Sequence, residues 1–459
     1  MIPPRIFFAL LLLILFAAHL CHVSILWEGD TLPLATAQQM LHGRTIYRDI
    51  WFDKPPLTAA IDLLWGARPG WLLRAAGALY ALLACWIAYR FARDLWGEPA
   101  GQSAAGLLGF FLIFDFPSAV IPLASDLLML APHLAAVWMA ATRRPFWSGV
   151  LAGVAFWINP KGVFVAATCV LWNPAGIAWI AAGFAASSVV MLGWLGVAGA
   201  LGSYWEEVWQ WGRLYASSTF IEHPLRNGVV RTLDWMGFHA AIVLCLVAAP
   251  KPRRYVWAGW FALSLAGVAA GLRFFPRYYF LLLPAMVLLA GYTCARIVRV
   301  REVLLILLLI PAIRFGPGYV RAIRNAAWAD TAMDQDSRAA AAFIRNIAKP
   351  GDTLFIWGYR PELYVYTGIP AASKYLDSQP LTGVPADRHL THSEPVETEA
   401  AARRRRELAQ SRPDIIVDGL GPYNPHLALT EYPDLRDWLS AYREVGRIGQ
   451  TITYKKEQR

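Results

Sequence analysis

Between Phe7 and Arg314 the chain returns again and again to apolar stretches of roughly 20 residues, the length at which a helix crosses a hydrocarbon layer about 30 Å thick. Such a layer offers no water to an unpaired N–H or C=O group, so each stretch has to close its backbone hydrogen bonds internally, as a helix. Eleven spans follow, at about 5–25, 71–92, 102–122, 127–142, 146–158, 162–173, 176–200, 235–250, 254–271, 278–296 and 301–314. The two flanking Asn159-Pro160-Lys161-Gly162 are either separate spans or one helix broken by its proline. Only 16% of residues are charged, against about 25% in ordinary soluble domains. The first stretch, FFALLLLILFAAHL, has no small-x-small cleavage site before the acidic loop that follows, and reads as a retained span.

Loop charge sets the expected orientation. With the amino terminus in the cytoplasm, Arg90 and Arg93, Arg143 and Arg144, Lys251, Arg253 and Arg254, and Arg296, Arg299 and Arg301 all fall on the cytoplasmic side. The same choice places the first loop (about 27–70), segments 201–234 and 272–277, and everything after 314 outside a plasma (inner) membrane. Most carboxylates of the membrane part then face outward, among them Asp49, Glu206, Glu207 and Glu222.

Composition divides the chain in two. Residues 1–314 hold 23 Lys+Arg and 14 Asp+Glu, and residues 315–459 hold 19 and 18, so the net charge of +10 belongs to the membrane part. The expected units are a transmembrane domain, 1–314, and an exported α/β domain, 315–459. In the latter a helix over 328–348 precedes a strand TLFIWG (353–358), a helix PELYVYTG, a polar loop over 380–402, a strand PDIIVDG (413–419), a helix near 433–444 and a strand near 447–455. The run Arg403–Arg406 reads as a solvated helix face, and no clustered basic surface of a nucleic-acid binder is present. The five cysteines lie inside apolar stretches, where they behave as small hydrophobes.

The first outer loop concentrates chemistry. Asp30-Thr31-Leu32-Pro33 reads as a helix start, with Asp30 or Thr31 as cap, running to about Leu41 and stopping at Gly43; too short and polar to span, it would lie flat on the outer surface. Glu28 precedes it. Tyr47-Arg48-Asp49 and Asp53-Lys54-Pro55-Pro56 follow, the prolines fixing the backbone around an ammonium at the membrane boundary, well placed for a lipid phosphate. A second group is Arg273, Arg277 and Tyr278 in GLRFFPRYYFLLLPAM: guanidinium forks suit phosphate oxygens, and Tyr278 and Tyr279 also suit an aromatic belt. Asp126, in Ala124-Ser125-Asp126, adds an outer carboxylate, and Lys161 reads as a loop residue in the first instance and as a further phosphate contact in the second. Exported cations set against exported carboxylates can hold a phosphate and also take a proton.

These motifs resemble the GT-C superfamily of membrane glycosyltransferases, in the group of bacterial aminoarabinose transferases and protein O-mannosyltransferases. The resemblance rests on Glu28-Gly29-Asp30-Thr31, Met40-Leu41-His42-Gly43, Ile46-Tyr47-Arg48-Asp49, Lys54-Pro55-Pro56-Leu57, Arg277-Tyr278 with Pro284, and Pro350-Gly351-Asp352 through Trp357-Gly358-Tyr359 to Glu362-Leu363-Tyr364. Thr31 stands where a glutamate is common, and Arg277 where histidine is frequent. The resemblance implies an α-helical polytopic membrane fold with an exported α/β tail, and transfer of a sugar from a polyprenyl-phosphate donor to an acceptor hydroxyl on a glycan, lipid or protein. It implies Asp30 as general base, Asp126 as a second catalytic carboxylate, Lys54, Arg273, Arg277 and Tyr278 around the lipid phosphate, and Glu28, Tyr47 and Asp53 in support. No cofactor or metal is assigned, although a divalent ion stays compatible with the pattern. One competing class is a flippase for lipid-linked sugars, whose ionisable groups would sit near the bilayer midplane between repeated halves. A second is a membrane scaffold, in which Asp30 and Lys54 would be replaceable.

Overall fold

The computed structural model describes residues 2–115, 123–217, 221–248, 254–326 and 328–457; the side chains of Glu28, Arg254, Val298, Arg299, Val300 and Asp330 are also outside the described set, as are Lys251 and Arg253. The chain is a polytopic helical membrane protein carrying a small sheet at its carboxyl end. Each of the eleven apolar stretches contains a helix: α1 (Pro4–Leu20), α3 (Trp71–Trp96), α4 (Glu98–Ile113), α5 (Leu130–Ala141), α6 (Pro145–Ile158), α7 (Gly162–Trp172), α8 (Ile177–Val197), α10 (Ala240–Ala248), α11 (Arg254–Ala269), α12 (Leu283–Arg296) and α13 (Val298–Ile323). α2 (Glu28–Leu41) and α9 (Pro224–Phe238) complete the membrane part. Among the described residues, Trp71–Trp96, Pro174–Val197 and Arg301–Ile323 are long and apolar enough to cross a membrane on their own. Several others are shorter apolar helices, and at 1.5 Å per residue a 14-residue helix reaches about 21 Å. α9 and α10 meet at 86°.

Small residues let these helices approach closely. Gly149 and Gly153 on α6 face Gly183 and Ser187 on α8; a Cβ on Gly183 would come within 2.0 Å of the Phe146 carbonyl oxygen, and one on Gly149 within 2.0 Å of that of Ile180. A turn at Asn159–Lys161 separates α6 from α7, resolving the proline-broken pair into two helices. At one end of the bundle, Trp96 stacks with Trp257 and lies beside Tyr292, and Trp138 Nε1 donates to Asp94. These contacts gather the loops that charge assigns to the cytoplasm.

The carboxyl-terminal region begins with α14 (Ala332–Ile347) and holds a four-stranded sheet in the order β1-β2-β4-β3, from β1 (Leu354–Trp357), β2 (Ile415–Asp418), β3 (Tyr442–Ile448) and β4 (Thr451–Lys456). β1 and β2 pair in parallel, Leu354 opposite Ile415, and are buried throughout, as expected for apolar runs covered on both faces. α15 (Glu362–Thr367) packs on α14 and on α2, and α16 (Glu399–Leu408) precedes β2. The last segment departs from expectation. Two short helical turns, Pro433–Leu435 and Arg436–Leu439, fill only the first half of the expected helix over 433–444, and β3 and β4 form a hairpin, irregular between Glu444 and Gly446, whose turn Gly449 permits at φ +52°. The stretch 380–402 is polar yet largely packed, with a short helix Gln379–Thr382 whose residues are all buried.

Two more expectations are corrected. α2 starts at Glu28, with Trp27 as cap and no side-chain cap bond, so Asp30 lies inside the first turn. Nor does α2 lie on an open surface: Asp30 to Ala37 is buried throughout, packed against α15 and the short helices Leu57–Ala60 and Ile61–Trp65, and the helix stops as expected before Gly43, at φ +86°. The basic run on α16 is a solvated face only at Arg403 and Arg406, which are exposed. Arg404 and Arg405 are buried because carboxylates meet them: Arg404 Nη2 lies 2.7 Å from Glu206, and Arg405 is clasped by Glu397 at 2.8 Å and Asp434 at 2.7 Å.

Candidate active site

The first outer loop is bolted to the carboxyl-terminal region. Trp51 N–H donates to the Lys374 carbonyl at 2.7 Å, Arg44 donates to the carbonyls of Ser373 and Ala371, and Gln39 Oε1 accepts from Ala371 N–H at 3.0 Å. Leu26 N–H donates to Asp334 at 3.0 Å. Between the two halves lies a cavity of about 790 Å³. Its walls include Gly29, Thr31, Asp53 and Lys54 from the first loop, Asp126, Asn159 and Lys161 from the next two, Arg277 and Tyr278 from the segment before α12, and Tyr359, Arg360 and His389 from the carboxyl-terminal region. Apart from Ile158 and Tyr278, which end expected spans, the membrane-part contributors come from loops that charge assigns to the outer side.

Asp126 organises the basic wall. Its Oδ1 lies 3.7 Å from Lys161 Nζ, its Oδ2 3.6 Å from Arg277 Nε, and Asn159 Nδ2 donates to Oδ1 at 3.1 Å. Lys161 Nζ also sits 2.9 Å from the centre of the Tyr278 ring. Burial pushes the Lys161 ammonium down to about 8; Arg277 acts in the same direction and Asp126 opposes it. Lys54 Nζ is 2.6 Å from Asp53, and Lys54 and Arg277, with side chains 31% and 30% exposed, are both more open than Lys161. Tyr47, in the left-handed region at φ 66°, donates from its hydroxyl to the Lys54 carbonyl at 2.7 Å and so holds that turn.

Asp30 stands behind the wall. Gly29 and Thr31 line the cavity, but the Asp30 carboxylate turns inward: Oδ2 pairs with Arg74 Nη2 at 3.0 Å and Oδ1 accepts from Leu123 N–H. Arg74 also donates to the Ile25 carbonyl at 2.6 Å. Close by, burial and then Asp30 push the Asp62 carboxyl well above the usual carboxylate range. Arg273 does not itself line the cavity; its Nε is 2.7 Å from Asp387 and its guanidinium 3.7 Å over the Tyr215 ring, two residues that do line it. Glu28 opens α2, and its side chain lies outside the described residues. Sequence reasoning passed over Arg74 and Asp387 and ranked Lys161 first as a loop residue; the signal for Lys161 was its place, beside a proline, in a loop that charge assigns to the outer side. Among the described residues no group of three His, Cys, Asp or Glu side chains stands close enough to hold a metal ion.

The helical bundle with its cavity beneath a carboxyl-terminal α/β region has counterparts among solved structures. The likeness in solved structures is to ArnT from Cupriavidus metallidurans, bound to undecaprenyl phosphate: TM-score 0.59 at 14% identity, covering 98% of this chain and 97% of that one. The apo state of the same protein gives 0.59 at 15% identity, with the same coverage. The Archaeoglobus fulgidus oligosaccharyltransferase AglB, in complex with an inhibitory peptide and a dolichol-phosphate, gives 0.48 at 11% identity, covering 99% of this chain and 75% of that one. No protein-family model matches the sequence, and no curated protein does.

Proposed function

We propose that this protein transfers a sugar from a polyprenyl-phosphate donor to an acceptor hydroxyl at the outer face of the membrane. The amino terminus lies in the cytoplasm; residues 1–314 form the transmembrane catalytic domain and residues 315–459 an extracytoplasmic domain roofing the cavity. The observation that carries the reading is the convergence of Lys54, Lys161, Arg277 and Asp126 on one cavity built from outer loops. The fold shared with ArnT, a protein that binds undecaprenyl phosphate, supports it.

In the reaction the acceptor oxygen attacks the anomeric carbon as the bond from that carbon to the phosphate oxygen breaks, with inversion. Negative charge grows on the departing lipid phosphate, and fixed cations stabilise it more in the transition state than in the ground state. Lys54, Lys161 and Arg277 take this role, with Tyr278 beneath Lys161 and with Asp126 and Asp53 holding the cations in place. The acceptor proton goes to Asp30, whose neighbours in the chain face the cavity; an acceptor hydroxyl would displace Leu123 N–H from Oδ1. Arg273, paired with Asp387, holds the segment that carries Arg277.

The test is transfer by purified protein supplied with polyprenyl-phosphate sugars and an acceptor mixture. Asp30→Asn is expected to abolish transfer and keep lipid binding, and Asp126→Asn to weaken lipid binding. Wild-type transfer by Asp30→Asn removes Asp30 as base; loss of transfer with full lipid affinity in Asp126→Asn moves that role to Asp126. Lipid-sugar translocation without transfer by the wild type would replace the enzyme reading by the flippase.

A further inference from the structure

Arg277 and Tyr278 sit on a backbone that does not hold itself. Just before them Leu272 and Phe274 adopt the left-handed region, at φ 54° and 52°, and Gly271 lies at φ +80°. Non-glycine residues there cost of order 1–3 kcal/mol each and persist only where the surroundings dictate them. Arg273 ties the strained stretch to Asp387 and the Tyr215 carbonyl, and a column of rings packs against Phe274 and Tyr279 on the side away from the cavity. Tyr279 lies 5.1 Å from Trp235 at 18°, Trp235 lies 3.8 Å from His239 at 21°, and His239 lies 4.6 Å from Phe111 at 25°. Tyr279 Oη is also 2.8 Å from Thr232 Oγ1, and Gly228 leaves room for the Phe274 ring, which would stand 2.5 Å from a Cβ there. The column thus joins α4, the 86° corner between α9 and α10, and the segment Pro276–Leu281.

One polar joint fixes the column. His239 Nδ1 is 2.7 Å from the Trp235 carbonyl, which can only accept, so Nδ1 carries a proton. His239 Nε2 is 3.0 Å from Asp115 Oδ1, off the line of an ideal hydrogen bond, and both side chains are buried, at 1% and 3% exposure. The His239 ring is held between the faces of Trp235 and Phe111, with its Nε2 edge turned to the Asp115 carboxylate. Removing either partner strands the other in an apolar interior, which is why such pairs define a single geometry.

We propose that the Asp115–His239 pair is a positioning device for Arg277 and Tyr278: it locks the α9–α10 corner, and the ring column carries that constraint to the phosphate-binding segment. The proposal rests on the reading that these two residues meet a lipid phosphate, and its test separates the two ideas. Asp115→Asn removes the charge and His239→Phe keeps a ring in the column while deleting the pair. Hydrogen–deuterium exchange, which needs no ligand, is expected to rise in Phe274–Leu282 and in Gly228–His239 in both variants and to stay at wild-type level in α2 and in the sheet. Kd for undecaprenyl phosphate is expected to rise about tenfold in either single variant, no further in the double variant, and less than about twofold when Asp115→Asn is added to Arg277→Ala. Unchanged exchange in Phe274–Leu282, a rise spread evenly over the chain, or an equal loss of affinity in the Arg277→Ala background would overturn it. A wild-type protein that binds no lipid sinks the proposed function alone, and the exchange result then decides the positioning role.

Discussion

Asp30 and Arg74 form an ion pair with Oδ2 and Nη2 3.0 Å apart and both side chains essentially sealed from solvent. Arg74 stands in the first turn of α3 and Asp30 in the first turn of α2, so this contact closes the ends of the first outer loop on each other. Removing one partner leaves the other charged and buried. Arg74→Ala is expected to cost about 3–5 kcal/mol, and the double variant Asp30→Asn/Arg74→Met to recover most of it. Thermal unfolding in detergent measures both; an unchanged Tm in Arg74→Ala would mean that the pair contributes nothing to the fold.

Lys161 gives the site a pH dependence. With its ammonium lowered to about 8 by burial, the free protein presents the charge below that pH and loses it above. Affinity for a polyprenyl-phosphate sugar, a phosphodiester of constant charge in this range, is therefore expected to be level from pH 6 to 7.5 and to fall as pH rises through 8. Lys161→Ala should bind roughly 10-fold or more weakly at pH 7, where a charge-assisted contact is worth about 1.5–3 kcal/mol, and nearly like the wild type at pH 9.5. The unfolded chain keeps this proton up to 10.5, so between 8 and 10.5 the same group makes stability rise with pH. A binding curve without a break near 8 would exclude Lys161 as a phosphate contact.

Asp377 carries the opposite sign. It is buried, and burial together with Asp53 raises its carboxyl from 3.8 to about 7. The unfolded chain releases that proton near 3.8, so stability falls as pH climbs from 3.8 to 7 and stays lowered above. Asp377→Asn keeps the oxygen that accepts from Gln379 N–H and removes the charge. Its gain in Tm over the wild type is expected to be near zero at pH 4, to grow to pH 7 and then to level off, with an upper limit of about 4 kcal/mol. A gain independent of pH would assign the effect to something other than this carboxyl.

Helix contact in the bundle can be read with a matched pair of glycines on α8. Gly183→Ala puts a methyl 2.0 Å from a carbonyl oxygen and is expected to force α6 and α8 apart, with loss of a monodisperse protein in size-exclusion chromatography. Gly193→Ala meets nothing within 4 Å and is expected to be neutral or to stabilise by about 0.5–1 kcal/mol through helix propensity. Equal behaviour of the two variants would remove close packing as the reason for Gly183.

Hydropathy placed a helix in each of the eleven apolar stretches because a single physical demand, backbone pairing without water, dominates there. Gly43 likewise marked the end of α2, through its left-handed backbone. Lys54, Asp126, Arg277 and Tyr278 do line one cavity, as loop charge led one to expect. What stayed hidden depends on partners far away in the chain. Arg273 reads as a phosphate ligand until Asp387, 114 residues later, is seen to occupy it. Arg404 reads as solvated until Glu206, 198 residues earlier, is brought against it. Composition also misled for α2, which packs against α15 and whose Asp30 meets Arg74 of α3 rather than water. The terminal hairpin was read as one strand because its strands are short and its turn is a glycine without the usual Asn or Asp before it.

The bolts between residues 39–51 and 371–374 bear on how such proteins can be recombined. All four contacts use backbone groups of the carboxyl-terminal region, so they read the path of its chain rather than its side chains. A chimera that exchanges residues 315–459 alone would have to reproduce that path to within a hydrogen bond, or the Lys54 turn loses its anchor. Moving residues 39–57 together with the exchanged half keeps donor and acceptor matched, and makes that hook, rather than the helix at the boundary, the natural seam of the molecule.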